Sequence, residues 1–455
     1  MKRTIVWMKR DLRVEDHEPL AAALSDGAVL PLYVAEPELW SQPDRSARQW
    51  REHAAALAKL RASLSRVGLP LAIMTGDAAS SLVQVARHVG ATDVRAHQET
   101  GTAWTHRRDI AVKSALAARG VAFRETPQEG VARGSQKRRP DFLSQGPLET
   151  IPSERAISFA EAPIPEAAHL GLPTDACAAE PATTPAREIL EDYCAQIASK
   201  DYGKDMWHAI RGASASSRLS VALSTGELSS TRALDVIAAH AEDAARRSDA
   251  VTTRALAQLK ARIGWRRSFI QAFESNPDIE PRERALTDQE AKARFEAWRD
   301  GKTGVPLVDA VMRSLKETGW ANFRMRHMAI SFANHHLALD WSVTGRHLAR
   351  LFVDYEPGIH WCQLSMMAGT PGHPRPNVYD PVKQGRENDP DEAFVRTWLP
   401  DLVRIPKGLA HEPWHIDPAL HPIVDIEEAR IAAIERMTGV PRRRGKEKAG
   451  VALLL

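Results

Sequence analysis

The 455-residue sequence contains few cysteines and no long hydrophobic run. The three cysteines, Cys177, Cys194 and Cys362, stand far apart without CxxC spacing, which argues against a disulfide framework and against a cysteine-bound zinc or iron–sulfur cluster. No segment approaches the roughly 18 consecutive apolar residues of a membrane-spanning helix, and the N-terminus has no apolar export signal. We therefore expect a cytoplasmic protein that neither spans a membrane nor holds a metal.

Excess charge of one sign is also lacking, because 61 Lys and Arg residues face 58 Asp and Glu residues. Any nucleic-acid partner must then be bound by a local basic patch rather than by the overall charge. The apolar fraction of 43% is ordinary for a globular protein and argues against a disordered chain. At this length, two to four domains with ample buried cores are expected.

The first 126 residues alternate short β-branched runs with helical patterns. This alternation predicts an α/β N-terminal domain with a doubly wound parallel sheet. The strand candidates are Thr4–Trp7, Ala28–Val34, Pro70–Thr75, Thr92–Ala96 and Val121–Glu125. No GxGxxG turn follows the first strand, where MKRDLR stands instead, so the usual glycine-lined pyrophosphate turn is excluded there.

The alternation of strand and helix patterns ends at about Gly130. Eight prolines between 131 and 185 predict a long interdomain linker, and the 3.6-residue period that follows predicts an all-α C-terminal domain. One helix is well marked, with Pro306 in its first turn and Gly319 closing it. The predicted division is an α/β domain at 1–130, a linker at 131–185, a helical domain at 186–435 and a basic tail at 436–455.

Three ordered motifs then point to a known family. VWMKRDLRVEDHEPL opens the chain, SRLSVALSTGELS follows at Ser217–Ser229, and GWANFRMRHM, LDW and DYEPGIHW lie between 319 and 361. Together they resemble the photolyase/cryptochrome family. The resemblance implies an N-terminal antenna domain, a long linker and a helical domain that binds FAD.

The serines of the second motif fall at the predicted start of a helix, where free N–H groups and hydroxyls can hold a pyrophosphate. A plain serine N-cap is the alternative reading. We predict that Arg326 and Asp354 form a buried ion pair. The resemblance places this pair beside the N5 edge of the flavin and Glu356 near the N3–O4 edge. The full set of implied flavin contacts is Tyr202, Ser216, Ser217, Leu219, Ser220, Trp320, Arg326, Asp354, Glu356 and His360.

The family also implies a row of tryptophans that carries electrons to the flavin. Trp341 matches the middle member, and Trp361 is the candidate for the proximal member, since the segment around it is shorter than the family form. Core packing is the alternative for any single tryptophan. An antenna pigment is left open between deazaflavin, lumazine, folate and none, with Glu99 as a possible folate contact.

Substrate contacts are implied for four residues, Arg262, Trp265, Arg324 and Arg375. Trp265 matches a tryptophan that stacks on a flipped DNA lesion. Arg262 and Phe323 stand where cyclobutane-dimer photolyases carry glutamate and asparagine. His327 matches the second catalytic histidine of (6-4) photolyases and is a candidate proton donor, or else a histidine satisfied by its helix neighbours.

These residues lead to a first hypothesis and two rivals. The first is a DNA photolyase, acting on UV-damaged DNA as a monomer. The second is a cryptochrome-like photoreceptor with a signalling partner. The third is a helical nucleic-acid-binding protein without flavin.

Overall fold

The computed structural model describes residues 1–134, 149–200, 202–370 and 378–438. The chain divides into two compact units, the first comprising Met1–Arg284, Arg313–Arg324 and Gly345–Leu364, the second Ala285–Met312, Met325–Thr344 and Ser365–Leu455. Arg375 and most of the predicted basic tail lie outside the described residues. The division at 130, 185 and 435 stays a prediction.

The first unit begins with a sheet of five parallel strands in the order β3-β2-β1-β4-β5. The strands are β1 Lys2–Met8, β2 Gly27–Ala35, β3 Ala72–Thr75, β4 Asp93–His97 and β5 Ala122–Thr126. The helices that follow them are α1 Glu18–Asp26, α2 Pro37–Trp40, α3 Ala47–Arg66, α4 Ala78–Val89 and α5 Ala103–Ala117. The predicted α/β fold class is thereby confirmed.

Alternating side chains of the strands enter two separate cores. Val6 and Met8 pack with α1 and α3, whereas Ile5 and Trp7 pack with α4 and α5 residues. Strand β2 is buried along its whole length, as expected for a central parallel strand covered on both faces. The order of strands reverses between β1 and β4, so the carboxyl ends of these two strands border a crevice.

The described part of the proline-rich connection, from 149 onward, packs against the sheet domain instead of forming a free tether. The backbone of Ile157 hydrogen-bonds to Val29 at 3.0 Å, and the Trp50 indole donates to the Pro165 carbonyl at 2.9 Å. Leu170 and Leu172 are buried in the first of the two cores. Proline and alanine content alone gave no sign of this packing, because the anchoring apolar residues are few and irregularly spaced.

Helices dominate the rest of the described chain, as predicted. They are α6 Ala186–Gln196, α7 Tyr202–Asp205, α8 Arg211–Ala215, α9 Ser220–Thr225, α10 Ser230–Arg246, α11 Ala250–Ser275, α12 Gln289–Arg299, α13 Pro306–Thr318, α14 Phe323–Ser331, α15 Trp341–Leu351, α16 Pro357–Ala368, α17 Pro381–Asn388, α18 Ala393–Trp398 and α19 Ile426–Thr438. Helix α13 begins at Pro306 and is followed by Gly319 at φ +68°, which confirms the predicted start and stop. No helix within the described ranges is long and apolar enough to cross a membrane.

Candidate functional site

The predicted pyrophosphate segment connects two short helices of the first unit. Ser216 caps the end of α8, where its hydroxyl donates to the Gly212 carbonyl at 2.6 Å. The expectation that Ser216 stands at a helix start is therefore wrong, because a separate short helix ends at Ser216 and the next one begins only at Ser220. Ser217 lies in the connecting turn, Leu219 is buried, and Ser220 is the first residue of α9.

Arg218, in the middle of this segment, has a left-handed backbone with φ of +57°. Its guanidinium carbon lies 4.0 Å from the centre of the Trp320 ring. Arg218, which the sequence analysis does not name, thus connects the predicted pyrophosphate segment with the predicted flavin contact Trp320. Only its place inside the SSRLS motif could have signalled it. A cavity of about 170 Å³ opens beside the segment, lined by Arg218, Leu219, Glu52 and Lys59 among others. Burial raises the pKa of Glu52 to about 7, against the lowering influence of Arg51 and Lys59.

Glu356 is buried and held by two arginines. Its Oε2 accepts a hydrogen bond from Arg10, in the first motif, and another from Arg266 of α11 at 3.2 Å. Its Oε1 is buried and has no hydrogen-bond partner among the described residues. An acceptor in this state fits an N–H donor such as flavin N3, which is the contact that the resemblance implies for Glu356. Asp354, two residues earlier, is also buried.

His360 and Trp361 occupy the buried side of α16. The His360 Nε2 lies 2.9 Å from the Gly345 carbonyl, and the two rings are 4.8 Å apart at 77°. The Trp361 indole donates to the Tyr355 hydroxyl at 3.1 Å, and that hydroxyl donates to Asp44 at 2.6 Å. Burial, together with Asp44, raises the pKa of Tyr355 well above its usual range. Tyr355 and Asp44 were missed, since 311 residues separate them and no local pattern joins them.

Trp265 projects from α11 with 53% of its surface exposed. The Arg262 guanidinium carbon lies 4.5 Å from the Trp265 ring centre and 5.5 Å from that of Trp207. The Arg324 guanidinium carbon lies 5.0 Å from the Trp207 ring centre. The Phe323 ring packs edge-on against Trp207, with the ring centres 5.8 Å apart. We call Trp207, Trp265, Phe323, Arg262 and Arg324 the arginine–aromatic cluster. It brings together every substrate contact predicted within the described residues.

Tyr202 lies behind this cluster. Its side chain is buried and hydrogen-bonded to Arg262, and burial raises the pKa of its phenol while Arg262 opposes the rise. The hydroxyl is therefore neutral near pH 7. Its predicted contact with a flavin phosphate stays a prediction.

Three further predicted residues belong to the second unit. Arg326 and His327 are half-buried on α14, and Trp341 is half-buried at the first position of α15. Arg386 of α17, also in the second unit, is paired with Glu412. The predicted ion pair between Arg326 and Asp354 joins residues of different units and stays a prediction.

One cluster among the described residues has the composition of a metal site: Asp11, His17 and His97, all buried. His17 Nδ1 accepts the Leu20 N–H at 3.2 Å, so its Nε2 carries the proton and donates to Asp11 at 3.0 Å. His97 Nδ1 lies 2.8 Å from the same carboxylate oxygen. In this tautomer His17 has no lone pair to offer a metal. The cluster instead ties the loop after β1 to α1 and β4.

A second, smaller cavity lies at the carboxyl ends of β1, β2 and β4. Its volume is about 40 Å³, room for only a few water molecules, and its lining includes Arg10, Glu36, His53 and Glu99. Glu99, the possible folate contact, is buried and accepts from Arg108 at 2.5 Å. Burial raises the pKa of Glu36 to about 7, while Arg108 opposes the rise. Charged side chains thus line one part of this crevice and uncharged side chains, aromatic and aliphatic ones among them, the rest.

Replacing His53 with phenylalanine should remove part of the acid sensitivity of the fold. Burial, with Arg10 and Arg45 nearby, lowers the pKa of His53 to about 3, and its Nε2 is buried without a described partner. Unfolded chains bind the proton near pH 6.5, so acid favours unfolding below that pH. Between pH 6.5 and 5 this histidine costs about 2 kcal/mol of stability. Urea unfolding at pH 7.5 and 5.0 should show a loss smaller by that amount in His53→Phe, and an equal loss in both proteins would contradict the assignment.

Fold and site together define a class: a two-part flavoprotein with a parallel-sheet domain before a helical cofactor domain. The family model for DNA photolyase matches residues 4–134, and the model for the FAD binding domain of DNA photolyase matches residues 259–439. The chain belongs to the photolyase/cryptochrome family, and its helical part is an FAD-binding domain.

Similar proteins carry both names of the family. Cryptochrome DASH of Natronomonas pharaonis is 29% identical, covering 92% of this chain and 94% of the relative. The deoxyribodipyrimidine photo-lyase of Escherichia coli is 28% identical, covering 95% and 98%. Among solved structures, a Synechocystis cryptochrome (TM-score 0.79, 23% identity, covering 96% of this chain and 99% of the other) and a class III photolyase of Agrobacterium tumefaciens (TM-score 0.78, 24%, 97% and 98%) share the fold.

Proposed function

We propose that this chain is a DNA photolyase, which binds UV-damaged DNA and splits pyrimidine dimers with light. The observation that carries the proposal is the arginine–aromatic cluster, in which the exposed Trp265 stands beside the Arg262 guanidinium and the Arg324 guanidinium lies over Trp207. Stacking surfaces and cations are what a flipped base and its phosphates need.

FAD, when bound, supplies the light absorption and the electron transfer. The protein's own residues would do the rest. Glu356 would accept an N–H of the flavin ring through Oε1, while Arg10 and Arg266 hold the carboxylate in place. Trp320 and the segment from Ser216 to Ser220 cradle the remainder of the cofactor, and the buried Trp361 provides an oxidisable ring near it. The role of His327 as a proton donor, which the resemblance implies, is part of the same proposal.

Two finer points belong to the same proposal. We infer that the protein acts as a monomer. We also infer that the protein binds a second chromophore, because a solved photolyase of Sulfolobus tokodaii holds two FAD molecules. That structure has a TM-score of 0.77 and 21% identity to this chain, covering 96% of this chain and 100% of the other. The cavity of about 40 Å³ at the strand ends would have to widen to admit a pigment there.

A cryptochrome-like photoreceptor is the second candidate. The departures at Arg262 and Phe323 favour it, because both stand where dimer-splitting relatives are expected to carry lesion contacts. Relatives named cryptochrome, including Cryptochrome-1 of Sinapis alba at 29% identity over 91% of this chain and 89% of the relative, are as similar as those named photolyase. In this case a signalling partner would replace DNA.

The test is repair itself. The purified protein, with bound FAD confirmed by its absorption, is illuminated under reductant with DNA carrying either cyclobutane dimers or (6-4) products, and lesions are counted against a dark control. We expect light-dependent loss of one lesion, which also identifies the substrate. Photoreduction of the flavin without loss of either lesion would reject the photolyase and support the photoreceptor.

A further inference from the structure

Arg262 is enclosed by aromatic rings from three separate segments. Trp265 comes from the next turn of α11, Trp207 follows α7, and Phe323 begins α14. The guanidinium carbon lies 4.5, 5.5 and 6.0 Å from their respective ring centres. Contacts with rings restrain a guanidinium without using its N–H donors, which can still bind an anion.

No negative charge balances this cation within the described part of the chain. The polar contacts of Arg262 are the Met206 sulfur at 3.6 Å and the neutral Tyr202 hydroxyl. Arg266, one turn further along the same helix, shows the contrast, since it is paired with Glu356 at 3.2 Å. A guanidinium does not lose its proton at any physiological pH. Arg262 is therefore a half-buried permanent cation without a carboxylate partner.

We propose that Arg262 binds a phosphate of the nucleic-acid strand whose base stacks on Trp265, and that Trp207 holds the guanidinium in position for it. The proposal rests on DNA as the substrate. A planar guanidinium suits a phosphate because two parallel N–H groups meet two oxygens. The missing counter-charge is then supplied by the ligand itself. This explains a cation at a position where the family resemblance led us to expect a carboxylate.

A phosphate contact and a contact to the lesion base have different signatures. Each phosphate contact adds about 0.7 to 0.9 to the slope of log affinity against log salt concentration, for damaged and undamaged strands alike. A hydrogen bond to the base carries no such salt dependence and is confined to damaged DNA. Trp207 is a positioning residue, so its loss should weaken binding without removing the charge.

The experiment measures binding of single-stranded oligonucleotides, with and without a cyclobutane dimer, between 50 and about 300 mM salt. Arg262→Gln should weaken both about tenfold at the lowest salt and lower the slope by about 1. Lys260→Gln, which removes a charge from another side of α11, should leave the slope unchanged. Trp207→Ala should lower affinity severalfold at an unchanged slope. FAD content and melting temperature of each variant report folding.

An unchanged slope in Arg262→Gln would overturn the phosphate assignment. So would a loss seen only with the damaged strand, which would assign Arg262 to the lesion base. If the unaltered protein binds neither oligonucleotide, the proposed function fails instead, and the two failures are therefore distinguishable.

Discussion

Replacing Trp361 with phenylalanine is expected to slow light-driven reduction of bound FAD at least tenfold. The indole is buried, its N–H is fixed by the Tyr355 hydroxyl, and its ring packs against His360. Phenylalanine preserves most of this packing but is far harder to oxidise than an indole. If Trp361 is the first donor to the flavin, the variant lacks the indole from which the first electron comes.

The measurement is the rate at which the oxidised flavin absorption disappears under blue light with an external reductant. Trp341→Phe should slow the same rate, as the next donor in the predicted route. Trp414→Phe is the matched control, since this half-buried tryptophan lies outside the predicted route. Equal rates in Trp361→Phe and the unaltered protein, at equal FAD content, would remove Trp361 from the route.

The overall fold could be predicted from local patterns. Each strand of the sheet was found within about two residues, because buried parallel strands read as short β-branched runs between amphipathic helices. Helix α13 was bounded correctly, since proline and glycine each mark a helix end by their own backbone chemistry. Ser216 is misplaced because a serine suits either end of a helix, and nothing in the sequence marks the short helix that ends there.

The residues that complete the candidate site could not be predicted in this way. Trp207 reaches Arg262 across 55 residues, and Tyr355 reaches Asp44 across 311, so no window of sequence contains either pair. Similarity to a family supplies positions only where the family has a motif. At position 262 the family comparison shows only that arginine stands where glutamate is expected. The function of this arginine is suggested by its contacts with aromatic rings and by the lack of a carboxylate partner.

Replacing Trp265 with alanine is expected to weaken binding of lesion-bearing DNA at least tenfold. Stacking of a base on an aromatic side chain contributes about 1–3 kcal/mol, and Trp265 offers the most exposed ring of the arginine–aromatic cluster. Because 53% of this side chain is already exposed, its removal should cost the fold little. The effect should therefore appear in binding and repair while FAD content and melting temperature stay the same.

Trp265→Phe separates stacking from the other contributions of the indole. Phenylalanine keeps a ring for the base and for the Arg262 guanidinium, so it should recover most of the affinity that alanine loses. The comparison uses titration of the same dimer-bearing and undamaged oligonucleotides, followed by repair at saturating protein. If alanine binds the lesion as well as tryptophan does, the exposed ring is not where the lesion stacks, and the photolyase proposal loses the observation on which it most depends.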